Sequence, residues 1–307
     1  MPRYIASRFL QALLVLVGAT FVIFVITFAL PGDPVQALAG ERAADPAFAA
    51  AIKARYHLDE PLLQQYGRFL SGMVHGDLGQ TYSGQDVSEV IGQRIGVSAQ
   101  LAAFALAFQI VIGISGGILS ALRRNGVADA GVRIITLAGL SVPFFVTAFV
   151  LQLVLGVKFG LLPVAGVEGG MLSYVMPGFV LGSLSTAYVA RLTRGQLVET
   201  LRADYVRMAT AKGLTRVRVV AHHALRNSLI PVVTFLGLEV GALLSGAVIT
   251  ESIFNLPGMG QAMARAVYLG ERTTLVGIVT VFVLVYVIAN LVVDLLYAVL
   301  DPRIRYA

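Results

Sequence analysis

Six apolar runs, each about as long as a bilayer is thick, constrain this chain more than any other feature of its sequence. A helix needs roughly 20 apolar residues to cross the hydrocarbon core of a membrane. Runs near that length occur at residues 9–30, 101–122, 134–157, 172–190, 230–249 and 275–293. Because 57% of the residues are hydrophobic and only 13% are charged, a soluble domain of ordinary composition is excluded. The sequence therefore predicts an all-α membrane protein with six transmembrane helices.

The distribution of basic residues predicts how these helices are oriented. If the N-terminus is cytoplasmic, the inner segments hold 15 of the 23 Lys and Arg residues, namely Arg3, Arg8, Arg123, Arg124, Arg133, the eight from Arg191 to Arg226, Arg303 and Arg305. Because cytoplasmic segments are enriched in Lys and Arg, both termini are predicted to be cytoplasmic. A cleaved signal peptide is the alternative for the first run. Its 22 residues exceed the roughly 7 to 15 of a signal core, which favours a retained span.

The predicted topology divides the chain into four segments. Residues 1–30 form an N-terminal transmembrane helix, and residues 31–97 form an external helical segment. Residues 98–298 form a core of five transmembrane helices, with a cytoplasmic loop at 191–228. Residues 299–307 form a cytoplasmic tail.

The external segment carries signals for two short helices and a turn. Asp45-Pro46 and Asp59-Glu60-Pro61 each place a capping residue ahead of a proline, which is typical of a helix start. The second helix is predicted to be amphipathic, with apolar residues Leu62, Leu63, Tyr66, Phe69, Leu70 and Met73. The stretch HGDLGQTYSG at 75–84 predicts turns. We therefore expect an ordered segment that covers the outer end of the bundle.

The spans differ in polarity, and this difference indicates which of them line a path for solute. Beyond Gln11 near its start, the first carries only Thr20 and Thr27 as polar side chains, so it is suited to the periphery. The second and fifth carry small and polar residues, namely Gln109, Gly113, Ser115, Gly116 and Gly117, and Gly237, Glu239, Gly241, Ser245 and Gly246. In the third, Pro143 predicts a bend because proline removes a backbone donor. The candidate pathway residues are Ser141, Pro143, Phe144, Phe145 and Glu239.

The longest cytoplasmic loop has a helical pattern, in the stretch YVRMATAKGLTRVRVVAHHALRNSLIPVV at 205–233. One helical face is predicted from the spacing of Leu197, Leu201, Tyr205, Met208 and Lys212. Gly213 is predicted to end this helix, and Thr215 to cap a second one. The residues around the turn are small, so a partner could approach the backbone closely; they are Ala209, Thr210, Ala211 and Gly213.

Three other interpretations of this basic loop have to be weighed. It could serve only to orient the protein in the membrane. It could also lie on anionic lipid as a basic amphipathic helix. A nucleic-acid role is disfavoured, because no aromatic stacking set or binding module accompanies the charge.

The loop resembles the EAA loop of membrane subunits in type I ABC importers, in the branch that includes peptide and nickel permeases. The resemblance rests on YVRMATAKG at 205–213 and HALRNSLIPV at 223–232. It extends to LPGDP at 30–34, GDLG at 76–79 and LDPRIR at 300–305, and so covers nearly the whole chain. In this chain the glutamate and first alanine of the general motif are replaced by Arg207 and Met208, and its later proline is displaced to Pro231.

The resemblance implies a permease subunit of the bacterial inner membrane. In that family the loop forms a coupling helix that binds a cytoplasmic ATPase, here with candidate residues Tyr205, Arg207, Met208, Ala209, Thr210, Ala211, Lys212, Gly213 and Leu214. It also implies a second, related permease subunit in a heterodimer, two ATPase subunits that bind ATP and Mg²⁺, and an external solute-binding protein. Peptides are the expected solute, with nickel, glutathione and other small solutes as alternatives. This chain itself has no G-x-x-x-x-G-K-[ST] phosphate-binding loop.

Two other classes of function are less favoured by the residues. An ion-coupled secondary transporter needs intramembrane ionisable groups, for which Glu239 and Asp294 are the candidates. A membrane enzyme is disfavoured because no catalytic set is identifiable and there are no cysteines. No metal site is expected either, since none of the four histidines has metal-ligand spacing; they are His57, His75, His222 and His223.

Overall fold

The computed structural model describes residues 2–29 and 59–300, together with the isolated residues 46, 47, 50 and 53. These residues are mainly helical, with one isolated antiparallel bridge between Gln80 and Asp86. The helices are α1 Pro2–Ala29, α2 Leu62–Val74, α3 Val87–Leu122, α4 Val127–Ser141, α5 Phe144–Lys158, α6 Val175–Thr200, α7 Asp204–Ala211, α8 Arg216–Ser228, α9 Ile230–Ile253, α10 Met259–Leu269 and α11 Arg272–Leu300. The predicted all-α membrane class is confirmed.

The number of spans follows from which helices are long and apolar enough to cross a bilayer. In the described residues, four stretches meet that requirement without a break: Ala6–Thr27, Val87–Leu122, Gly170–Thr200 and Arg272–Val293. The pairs α4 with α5 and α8 with α9 also meet it if each bent pair is one span, which raises the total to six. The six-span topology stays a prediction.

The bend predicted at Pro143 is confirmed, and it is sharp enough to produce two separate helices. The axes of α4 and α5 meet at 99°. Val142 is extended, with φ −94° and ψ 123°, as expected for a residue whose helical conformation is disfavoured by a following proline. The last turn of α4 closes with a hydrogen bond from Val142 N to the Ala138 carbonyl oxygen at 3.3 Å.

Contacts within the chain define two compact units. One comprises Met1–Ser98 and Pro257–Ala307, and the other comprises Ala99–Leu256. The segments predicted from the sequence follow membrane topology rather than contacts, and their boundaries stay predictions.

In the first unit, Tyr66 of α2 fastens the external helix to α1. Its hydroxyl donates to the Val17 carbonyl oxygen at 2.9 Å and lies 3.0 Å from Thr20 Oγ1. Its ring makes edge-to-face contacts with Phe21 and Phe24. Thr20 and Thr27 are 1% and 2% exposed, so both threonines of the first span face protein. Its exposed apolar residues, among them Phe9 and Leu14, are left for lipid.

The predictions for the external segment are only partly covered by the described residues. Most of the helix predicted from Asp45-Pro46 lies outside them, as do LPGDP at 30–34 and residues 301–307. The amphipathic second helix is confirmed as α2, although Leu63 is 70% exposed and does not belong to its buried face. The turns at 75–84 are also confirmed, with positive φ at Gly76, Gly79 and Gly84.

In the second unit, α6 is the central helix and packs against α3, α4, α5 and α9. Glycines on α3 allow the closest of these approaches. A Cβ added to Gly117 would lie 2.5 Å from Thr193 Cβ and 2.6 Å from the Ala190 carbonyl oxygen. Since real Cβ atoms do not come that close to backbone, the α3–α6 packing requires glycine at this position.

The neighbouring glycine provides a matched test of this packing. Gly117→Leu is expected to destabilise the subunit by at least the roughly 1–3 kcal/mol of an overpacked core. Gly116→Leu, at the preceding residue, should have little effect, because the nearest atom to its added Cβ is 4.0 Å away on Val132. Thermal unfolding of the purified subunit in detergent compares the two variants. Equal midpoints would contradict the packing described above.

The predicted orientation can be tested by cysteine labelling, because the natural sequence has no cysteine. Gln85→Cys, in the external segment, should react with a membrane-impermeant thiol reagent in intact cells. Val217→Cys, at a position that is 78% exposed in the loop predicted to be cytoplasmic, should react only after lysis. The reverse pattern would show that the orientation is wrong.

Candidate coupling and pathway sites

The loop predicted to be cytoplasmic folds as a helical hairpin of α7 and α8. Gly213 follows the Lys212 C-cap of α7 and has φ +81°, the left-handed conformation that glycine adopts most easily. Thr215 occupies the N-cap position of α8 with an extended backbone, but its side chain makes no capping hydrogen bond. Both helix boundaries were therefore predicted correctly, whereas the cap contact was not.

The predicted continuous face from Leu197 to Lys212 is wrong, because the chain turns at 201–203 between α6 and α7. Leu197 is buried on α6 beside Ala121 and Ala224. The inner face of α7 consists instead of Val206 and Ala209, which pack on Val219 of α8. Ala209 is only 7% exposed. Its small size thus lets the two hairpin helices approach each other rather than admitting a partner.

The outer face of the hairpin contains most of the predicted coupling residues. Tyr205 and Met208 are 43% and 58% exposed. Also exposed are Arg207, Thr210, Ala211, Lys212 and Gly213, while Leu214 is half-buried. Tyr205 further ties α7 to α8, since its hydroxyl accepts a hydrogen bond from Asn227 Nδ2 at 2.9 Å. The structure therefore presents an exposed, partly apolar helix face on a braced hairpin.

The candidate pathway residues occupy two places. Ser141, Pro143, Phe144 and Phe145 lie at the α4–α5 break, where the two phenylalanine ring centroids are 6.2 Å apart. Ser141 Oγ donates back to the Leu137 carbonyl oxygen at 2.9 Å. Glu239 lies on α9 and accepts a hydrogen bond from Ser185 Oγ of α6. In the described part of the chain no hydrogen bond or ring contact joins Glu239 to the break.

A buried ion pair was missed by the sequence analysis. Asp129, near the start of α4, is fully buried. Its carboxylate accepts two hydrogen bonds from Arg194 of α6, one from Nε at 2.7 Å and one from Nη2 at 2.9 Å. Ser120 Oγ of α3 and the backbone N–H of Asn125 also donate to this carboxylate. Three helices are therefore joined at one acid.

The sequence did contain a signal for this site. Arg194 was counted only as part of the basic bias that orients the chain, and Asp129 is the lone acid among the basic residues that follow the second span. An acid isolated in a basic connection has several potential partners, but the sequence alone does not say which arginine reaches it.

The described residues thus combine a helical membrane fold with an exposed hairpin of α7 and α8. Residues 113–306 match the family described as "Binding-protein-dependent transport system inner membrane component". Residues 1–98 match the N-terminal family of the same membrane components. The chain belongs to this family of permease subunits.

Curated relatives match over their full length. The dipeptide transport system permease protein of Escherichia coli (strain K12) is 35% identical over 337 residues, covering 100% of this chain and 99% of the relative. The glutathione transport system permease protein of Pectobacterium atrosepticum is 36% identical over 307 residues, with 100% of both chains covered. The oligopeptide transport system permease protein of Haemophilus influenzae is 36% identical over 312 residues, again with 100% of both chains covered.

A solved structure supports the same fold. The MetNI methionine ABC transporter, in an inward-facing conformation, contains a chain that aligns with a TM-score of 0.57 and 17% identity. The alignment covers 69% of this chain and 96% of that chain.

Proposed function

We propose that this chain forms half of the translocation pathway of an ATP-driven importer of peptides. The observation that carries the proposal is the full-length similarity to permeases named for dipeptides, oligopeptides and glutathione, which is itself a small peptide. Nickel and other small solutes are the alternatives within the same class of importer. An ion-coupled secondary transporter is the alternative from a different class.

The proposed assembly contains this subunit, a second and related permease subunit, two cytoplasmic ATPase subunits and an external solute-binding protein. ATP and Mg²⁺ bind to the ATPase subunits, and this subunit catalyses no reaction. The proposal agrees with the absence of a G-x-x-x-x-G-K-[ST] sequence from this chain. The external segment, held to α1 through Tyr66, is proposed to meet the solute-binding protein.

Coupling is proposed to run through the hairpin of α7 and α8. The exposed face with Tyr205 and Met208 binds an ATPase subunit, and the buried contacts of Val206 and Ala209 with Val219 keep the hairpin rigid. A rigid hairpin is needed because a flexible one would absorb the movement of the ATPase instead of passing it on to the membrane helices. Lys212 and Arg207 add positive charge to this face.

Transport into proteoliposomes tests the proposal. The subunit is reconstituted with its second permease, ATPases and solute-binding protein, and uptake of a labelled dipeptide is measured with ATP enclosed on the ATPase side. Uptake should require ATP and the solute-binding protein, and it should persist when proton and sodium gradients are abolished. Uptake that follows an ion gradient without ATP would establish the secondary transporter instead. ATP-driven uptake of Ni²⁺ but not of dipeptides would overturn the peptide assignment.

A further inference from the structure

A carboxylate, a hydroxyl and two aromatic rings lie together on α6 and α9, inside the predicted fourth and fifth spans. Ser185 Oγ of α6 donates a hydrogen bond to Glu239 Oε1 of α9. One turn away on the same two helices, the rings of Tyr188 and Phe235 have centroids 4.5 Å apart. This group is called the α6–α9 cluster below.

A buried apolar contact between α6 and α9 lies next to the α6–α9 cluster. Val189 of α6 and Val232 of α9 are fully buried, and Leu236 is 8% exposed, in one core between the two helices. The cluster itself is open: Tyr188 is 44% exposed and Glu239 is partly exposed. The positions of the carboxylate and the rings are thus set by packing, while one side of each remains accessible.

The depth of Glu239 limits what this open side can face. Carboxylates within the membrane face a bundle interior or a wet cavity, because lipid cannot solvate them. Ser185 is the hydrogen-bond partner of Glu239 among the described residues, and no described basic side chain forms an ion pair with it. The open side of this carboxyl group can therefore bind a cation that arrives through the pathway.

The chemistry of the cluster favours an ammonium group over a metal ion. An ammonium has three donors, so it can bond to a carboxylate oxygen while another of its faces lies against an aromatic ring. Divalent transition metals take several imidazole, thiolate or carboxylate ligands. Within the described residues, no three His, Cys, Asp or Glu side chains are grouped closely enough to hold a metal ion.

We propose that the α6–α9 cluster is a subsite of the translocation pathway that binds the N-terminal ammonium group of a peptide. Glu239 carries the countercharge, Ser185 orients the carboxylate, and the exposed ring of Tyr188, held by its contact with Phe235, lies against the ammonium. This inference rests on the proposed import of peptides and adds the part of the peptide that the pathway recognises.

The charge selectivity of the subsite can be measured without knowing the natural solute. Ala242 is exposed one turn beyond Glu239 on α9, and the chain has no cysteine of its own. In the assembled complex, Ala242→Cys should react faster with a trimethylammonium thiosulfonate than with a sulfonate analogue, by on the order of tenfold after correction for free-thiol rates. Adding Glu239→Gln should remove this preference, and Glu239→Asp should keep it.

Two outcomes of the labelling experiment would overturn the subsite. One is a preference that survives Glu239→Gln, because the selectivity would then come from another group. The other is no reaction with either reagent, because the pathway would not reach the cluster. If Ala242→Cys fails to assemble, Leu184→Cys, at a 41% exposed position beside Ser185, replaces it.

A transport measurement then separates this inference from the proposed function. In complexes that import dipeptides, Glu239→Gln should lower uptake at least about tenfold, while dipeptide affinity of the solute-binding protein is unchanged. Ser185→Ala, which retains the carboxylate, should have a smaller effect. If the wild-type complex imports no peptide, the proposed function is wrong. If it imports peptides and Glu239→Gln imports them equally well, the subsite alone is wrong.

Discussion

Arg194→Met is expected to destabilise the subunit by about 3 kcal/mol or more, because it leaves the fully buried Asp129 carboxylate without its bidentate partner. The remaining donors are Ser120, the backbone of Asn125 and the more distant Arg133, whose Nε lies 3.6 Å from Asp129 Oδ1. These groups do not replace a guanidinium that forms two short hydrogen bonds. The purified subunit is unfolded in detergent by heat or by denaturant, and its stability is compared with that of the wild type.

Two controls show whether the loss comes from the buried charge. Arg133→Met removes a guanidinium that is 55% exposed from the same carboxylate, and it should cost less than about 1 kcal/mol. The double variant Asp129→Leu with Arg194→Met removes both charges and should recover much of the lost stability. A double variant as unstable as Arg194→Met alone would contradict the assignment, because the loss would then be due to packing.

Gly213→Val is expected to uncouple ATP hydrolysis from transport. A Cβ at position 213 meets no atom within 4 Å, so the expected obstacle to substitution is the backbone conformation at φ +81°. A β-branched residue resists that conformation by about 1–2 kcal/mol or more. The strain should shift the end of α7, which carries the exposed face proposed to bind the ATPase. Uptake and solute-stimulated hydrolysis are measured in the reconstituted complex.

Asparagine provides the matched control for this position. Gly213→Asn adds a side chain, as Gly213→Val does. Asparagine, however, tolerates the left-handed conformation better than most other residues that have a side chain. Coupling should therefore be close to that of the wild type in Gly213→Asn and lost in Gly213→Val, with insertion unchanged in both. Equal coupling in the two variants would show that the turn conformation does not matter.

The helices were predictable wherever their signal is local. The apolar runs indicated the spans, Pro143 indicated the α4–α5 break, and Gly213 indicated the end of α7. Each of these depends on one residue or one stretch of chain. The 99° angle at the break was not predictable, because proline disfavours a continuous helix without setting the direction in which the next one leaves.

The parts that escaped prediction depend on contacts between distant residues. Ala209 matched a small-residue pattern for partner binding, but only the folded hairpin shows that Val219 covers it. Asp129 and Arg194 are 65 positions apart, and nothing local selects Arg194 over the other basic residues of the predicted cytoplasmic side. Glu239 was recognised as unusual from its place in a span, whereas its partner Ser185 became evident only from the packing of α6 on α9.

Cross-linking from the hairpin tests most directly the claim that this subunit works as an ATPase-coupled permease. Met208→Cys, at a position that is 58% exposed on the outer face of α7, is placed in the assembled complex with ATPase subunits that carry cysteines on their membrane-facing surface. We expect a disulfide-linked product of this subunit and an ATPase, which changes in yield when ATP is added, and no such product from Gln85→Cys in the external segment. A complex that transports solute but gives no ATPase product from Met208→Cys, or gives equal amounts from both positions, would contradict the account.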